Sequence, residues 1–204
     1  MAGSDVKAVT ITADTVAADA DGISANASVG NNAALTIGGA LADSGSVTLS
    51  HARKITVTSA GDDSSKAFTI VGTDVNGDSQ TETLTGANAG VATSSNFFLT
   101  IASITAVGNP AGNVKAGISA DAADVVFAGR TRLKGAFLSS TATAGTIDFL
   151  TSSPSGTSQF KLRSIASATA TRDVTIPEDG VLFESGLFIQ YTVSTFLFMT
   201  VFHA

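Results

Sequence analysis

Apolar and polar residues alternate most regularly between Lys54 and Gly86, where Ile55 and Val57, then Phe68 and Ile70, recur at every second position with threonines between them. A period of two sends one row of side chains into a core and the other into water, so this stretch predicts strands. Gly61-Asp62-Asp63-Ser64-Ser65 reads as a loop, because Gly, Asp and Ser satisfy their backbone locally. Asn76-Gly77 predicts a hairpin tip. A two-residue loop there would pair Phe68 with Thr85 and leave apolar residues beside a threonine row. A three-residue loop over residues 75–77, with Gly77 at positive φ, pairs Phe68 with Leu84 instead. The second register is preferred, since a slip of one residue sends every side chain to the opposite face.

The same reading predicts strands at residues 34–38, 46–49, 54–59, 67–73, 80–85, 96–107 and 113–118, with a bend at Ser103 in the longest. Turn signals between them, such as Gly38-Gly39, Ser44-Gly45 and Asn109-Pro110, fall at the spacing of an immunoglobulin-like sandwich. A shift in composition over residues 119–124 marks a boundary. Beyond it, strands are predicted at residues 124–128, 132–138, 145–150, 159–164, 171–176, 186–193 and 195–202, with Pro- and Gly-containing turns at 152–156 and 177–180. Residues 1–32 hold one candidate strand, 6–12, and then a polar stretch with little to bury. They read as an arm that either docks as a strand on another subunit or hangs loose. The expected fold is therefore all-β: an N-terminal arm (1–32), an immunoglobulin-like β-sandwich (33–119), and a second antiparallel, jelly-roll-like sandwich (120–204) ending in a hairpin.

Residues 186–202 are nearly uncharged, which raises the question of a membrane span. Gln190, Tyr191, Thr192, Ser194, Thr195 and Thr200 interrupt the segment, and the Val193-Ser194-Thr195 break divides it into two strand-length pieces. Strict alternation in the last piece puts Phe196, Phe198 and Phe202 on one face and Leu197, Met199 and Val201 on the other. Both faces are apolar, and a small sandwich buries only one, so the second face requires a partner. These six residues, with Val9 and Ile11 of the arm, are the candidate interface. The expected partner is a neighbouring subunit, either a second copy in a symmetric homo-oligomer or a different protein.

Composition narrows the chemistry. The 204 residues include no cysteine and only three prolines, so neither disulfides nor thiolate chemistry is available. A net charge of −6 argues against phosphate-backbone binding. Arg130, Arg132 and Lys134 alternate along one strand face and read as a solvated row. The first residues lack the charged start and apolar run of a signal peptide, which predicts no export by that route.

Asp74, Asn76 and Asp78 flank Gly77 like the opening of a calcium loop, but Thr85 stands where the closing glutamate belongs and Glu82 lies mid-strand, so a plain turn is expected. His51 and His203 lack neighbours at metal-ligand spacing. No serine sits in a nucleophile-elbow pattern, and Gly38-Gly39 lacks the lysine and following helix of a phosphate loop. No catalytic residue, cofactor or metal is assigned, and an enzyme is not expected.

The segment ITVTSAGDDSSKAFTIVGTDVNGDSQTETLTGANAG, residues 55–90, resembles one common in structural proteins of tailed bacteriophages. SITAVG, residues 103–108, and VTIPEDGVLFESGLFIQYTV, residues 174–193, resemble two further pieces of the same kind of protein. The resemblance covers about two thirds of the chain, from Leu35 onward, and the terminal TFLFMTVFHA departs from it by its aromatic content. It implies a virion component assembled in the host cytoplasm: a capsid decoration or cement protein contacting the major capsid protein or other virion subunits, with no catalytic residues to carry over. The alternative it leaves is a tail or head fibre module that binds host-surface glycan. Nucleic acid and membrane are not expected partners.

Overall fold

The computed structural model describes residues 5–165 and 169–204. In chain order its strands are β1 (Lys7–Thr12), β2 (Asp19–Ser28), β3 (Ala42–Asp43), β4 (Ser46–Ser59), β5 (Ala67–Thr73), β6 (Ser79–Thr85), β7 (Val91–Val107) and β8 (Asn113–Phe127). Then follow β9 (Thr131–Ser140), β10 (Gly145–Thr151), β11 (Thr157–Ser164), β12 (Ala170–Thr175), β13 (Val181–Phe183), β14 (Leu187–Thr192) and β15 (Phe196–His203). Among the described residues there is no helix, and no helix long and apolar enough to cross a membrane. The chain is all-β and antiparallel, as its β-branched alternation and small-residue turns predict.

Contacts divide the chain into one unit of Ala17–Ala120 and another of Met1–Val16 with Asp121–Ala204. In the first, the strand order is β8-β4-β7-β5-β6, with β2 added on β8 and β3 on β4. Ile23, Val47, Ile55, Phe68, Ile70, Phe98, Ile101, Ile104 and Val114 supply a common core from β2, β4, β5, β7 and β8. The β5–β6 hairpin takes the three-residue register: Phe68 pairs with Leu84, and Gly77 has a φ of 87°. Glycine there avoids the Cβ clash that a left-handed turn position imposes.

Several expected pieces run together. Residues 46–49 and 54–59 are both β4, and the composition shift at 119–124 lies inside β8. Such length is accommodated by bulges. Ala102 is the extra residue between Ser103, opposite Val71, and Ile101, opposite Gly72, one position from the expected bend. A larger irregularity sets Ser94 to Asn96 of β7 against Ile55 alone. Side chains seal it: the Ser94 hydroxyl accepts from Ile55 N–H at 2.8 Å, while the Glu82 carboxylate accepts from Ser95 N–H at 2.7 Å and Asn96 N–H at 3.0 Å. The mid-strand glutamate thus replaces the ladder bonds that the bulge removes.

The second unit has two sheets. One has the order β1-β15-β9-β12, with β13 also on β9; the other runs β11-β10-β14 onto the Asp121–Phe127 end of β8. Tyr191 of β14 meets Phe196 of β15 edge-on at 4.8 Å, one contact of the core between them.

The residues expected to form an arm are divided between the units. β1 pairs along its whole length with β15 of its own chain, Lys7 opposite His203 through Thr12 opposite Phe198. β2 pairs with β8 and buries Ile23 completely. It escapes a periodicity search because one isoleucine anchors a polar strand, and because its backbone lies so close to Gly117 that a Cβ there would sit 1.8 Å from Asp19 O. Residues 34–38 form no strand, only a bridge from Ala34 to Thr105.

Candidate interaction surface

The β1-β15-β9-β12 sheet has one face in the core and one face open. Inward lie Ile11, Leu133, Leu138, Met199 and Val201, all buried. Strict alternation would send Phe196 outward with Phe198, but β15 carries a bulge: Phe196 is opposite Ser140 and Phe198 opposite Ser139, so Leu197 is an extra residue. That insertion reverses the parity. Phe196 turns into the core, while Leu197 and Phe198 remain 52% and 39% exposed. A second shift, where Phe202 faces Gly135 and His203 faces Leu133, leaves Lys134 as the extra residue on β9.

Register fixes the outward face. β15 presents Phe198, Thr200 and Phe202 in a column; β1 places Thr12, Thr10 and Ala8 beside them in that order. On the other side β9 supplies Ser139, Phe137 and Gly135, and β12 follows with Thr171, Asp173 and Thr175. Phe137 and Phe198 stack with ring centroids 5.9 Å apart. Thr10 and Thr200 join hydroxyls at 2.9 Å across β1 and β15. Among the described residues of this patch the only charged side chain is Asp173, at its edge.

The eight candidate interface residues therefore separate. Ile11, Phe196, Met199 and Val201 belong to the chain's own core, and Val9, opposite Val201, is half-buried on that inner side. Leu197, Phe198 and the half-buried Phe202 are on the outer side. Phe137, half-buried, completes that aromatic group. Sequence reasoning missed it because Arg132-Leu133-Lys134-Gly135-Ala136-Phe137 alternates through a bulge, which shifts Phe137 onto the outer face.

Polar residues singled out by the sequence are engaged in structure. Asp74 Oδ1 accepts from Asn76 N–H at 2.8 Å and Asp78 N–H at 3.0 Å, so its carboxylate holds the hairpin turn. The Asp62 loop lies at the opposite end of β5, and Asp62 Oδ1 accepts from Ser64 N–H and Oγ–H, which hold its carboxyl below the usual range. Arg130 pairs with Glu184 at 2.8 Å, and Lys134 donates to Glu178 O at 2.7 Å.

His51 lies on β4 in one unit and His203 on β15 in the other. Thr131 Oγ1 donates to Ala204 O at 3.1 Å, so at 3.0 Å it accepts from His203 Nδ1–H, fixing that tautomer. The ring borders a cavity of about 110 Å³ with Asp5, Lys7, Phe127 and Arg130. Burial holds its pKa below the ordinary 6.5, and the charge of Lys7 acts in the same direction. Tyr191 donates to Asp124 Oδ2 at 3.0 Å and accepts from Asp14 N–H at 3.2 Å. Burial pushes this hydroxyl far above the usual tyrosine range, and the charge of Asp124 adds to the shift. Among the described residues no group of three or more His, Cys, Asp or Glu side chains is placed to hold a metal ion.

Compared with known protein families, with curated proteins and with solved structures, the chain matches none.

Proposed function

We propose that the chain is a non-enzymatic structural protein of a phage virion, a capsid decoration or cement protein that adds contact area to the head shell through its β faces. One observation carries this reading: a sheet whose core side is already filled presents Phe137, Leu197, Phe198 and Phe202 on its other side. Clustered aromatic side chains on a flat, almost uncharged face suit a protein contact, where energy comes from summed apolar burial. The engagement of Asp74, Glu82, Arg130 and Tyr191 in turns, bulges and pairs supports a scaffold role. The phage setting rests on the resemblance of residues 55–90, 103–108 and 174–193. Quantitative mass spectrometry of purified particles tests it. Hundreds of copies per particle are expected; no copies, or a dozen or fewer, would remove the shell reading and favour a tail or vertex module.

A further inference from the structure

The outward face of the β1-β15-β9-β12 sheet carries its own complement. Phe137 stands one strand to one side of β15, about 4.8 Å away, and the small residues of β1 stand one strand to the other. We propose that this face is covered by the same face of a second copy, related by a two-fold axis that runs along β15. The proposal rests on the reading of this face as a contact surface and adds its occupant and geometry.

Rotation about such an axis lays β15 on β15 and each β9 on the other copy's β1. Phe137 then meets Thr10, and Gly135 meets Ala8, so the large ring faces a strand of short side chains, twice by symmetry. β12 overhangs beyond β1, which leaves Asp173 at the wet rim. An in-plane axis across the strands would instead set Asp173 over Asp173, bringing two like charges together. The roughly 30° rotation of aligned sheets lets the phenylalanines of the two β15 strands pass beside one another.

A patch three strands wide and about six residues long is smaller than the roughly 800 Å² per partner of a standard interface. The dimer is correspondingly weak in dilute solution and is favoured by the high local concentration of a shell.

Because the chain has no cysteine, Thr200→Cys and Asp173→Cys each introduce a single thiol. Both variants are tested at high protein concentration with a bismaleimide spanning about 10 Å, the separation of packed sheets, after circular dichroism has shown native strand content. Thr200→Cys is expected to give cross-linked dimer, Asp173→Cys to give none, and adding Phe137→Asp to lower the Thr200→Cys yield about tenfold or more. Dimer from Asp173→Cys, or none from Thr200→Cys, overturns the proposed geometry. If Thr200→Cys links only to a different protein in assembled particles, the second-copy proposal fails while the contact-surface reading stands. If it links to nothing in solution or in particles, both fail.

Discussion

Phe137 and Phe198 stack across β9 and β15 with planes 28° from parallel, on the side of the sheet away from the core. Met199, the next residue, is fully buried on the opposite side. Two neighbours in one strand thus carry different loads, and substitution separates them.

Met199→Ala leaves a cavity in the second unit's core and is expected to cost about 2–5 kcal/mol. Phe198→Ser removes exposed ring surface and is expected to change stability by less than about 1 kcal/mol while weakening association. Urea unfolding of each variant, paired with sedimentation at high concentration, checks the division. Equal destabilisation by the two would contradict it.

Glu82 is the closure of the β7 bulge, so Glu82→Ala leaves the Ser95 and Asn96 N–H groups without their carboxylate. A loss of about 2 kcal/mol is expected. Hydrogen exchange should accelerate first at Ser95 and Asn96, with β1 and β15 unaffected. A variant with unchanged amide protection at those two residues would show that the carboxylate does not hold the bulge.

How much of this was legible in the chain depended on whether one strand could be read without its neighbour. The β5–β6 register was, because Phe68, Ile70 and Leu84 alternate toward one core and Gly77 marks the turn. The two faces of β15 were not. Their parity depends on Leu197 being extra relative to β9, a property of the pair that neither sequence displays alone. β1 was recognised as a strand, but its acceptor lies nearly the whole chain away, and nothing local names β15 as its partner. The role of Glu82 was equally hidden, since the amides that it serves belong to a bulge defined by β4 and β7.

Tyr191 has a raised pKa in the fold, so its neutral form is favoured there. The corresponding stability is fully present below about pH 10, where the unfolded tyrosine is also neutral, and is lost as pH rises above that value. Tyr191→Phe should cost about 1–2 kcal/mol at neutral pH through the lost bonds to Asp124 and Asp14. The gap between wild type and variant should narrow above pH 10. A gap constant to pH 11.5 would rule out the buried neutral hydroxyl.

His203 has a lowered pKa, so its neutral form is favoured in the fold. That stability is present above about pH 6.5 and is lost as pH falls through the folded value. NMR titration should place its midpoint below 6.5, and Lys7→Ala should raise that midpoint by removing a nearby positive charge. His51, the other histidine, serves as the control in the same spectra. A His203 midpoint unmoved by Lys7→Ala would exclude the electrostatic contribution.

The claim that the open face of the β1-β15-β9-β12 sheet is the assembly surface is tested most directly by hydroxyl-radical footprinting of the isolated chain and of the same chain in purified particles. Oxidation of Phe137, Leu197 and Phe198 should fall sharply on assembly, while Phe127, 40% exposed and outside that face, should react alike in both. Equal oxidation of Leu197 and Phe198 in the two states would contradict the account.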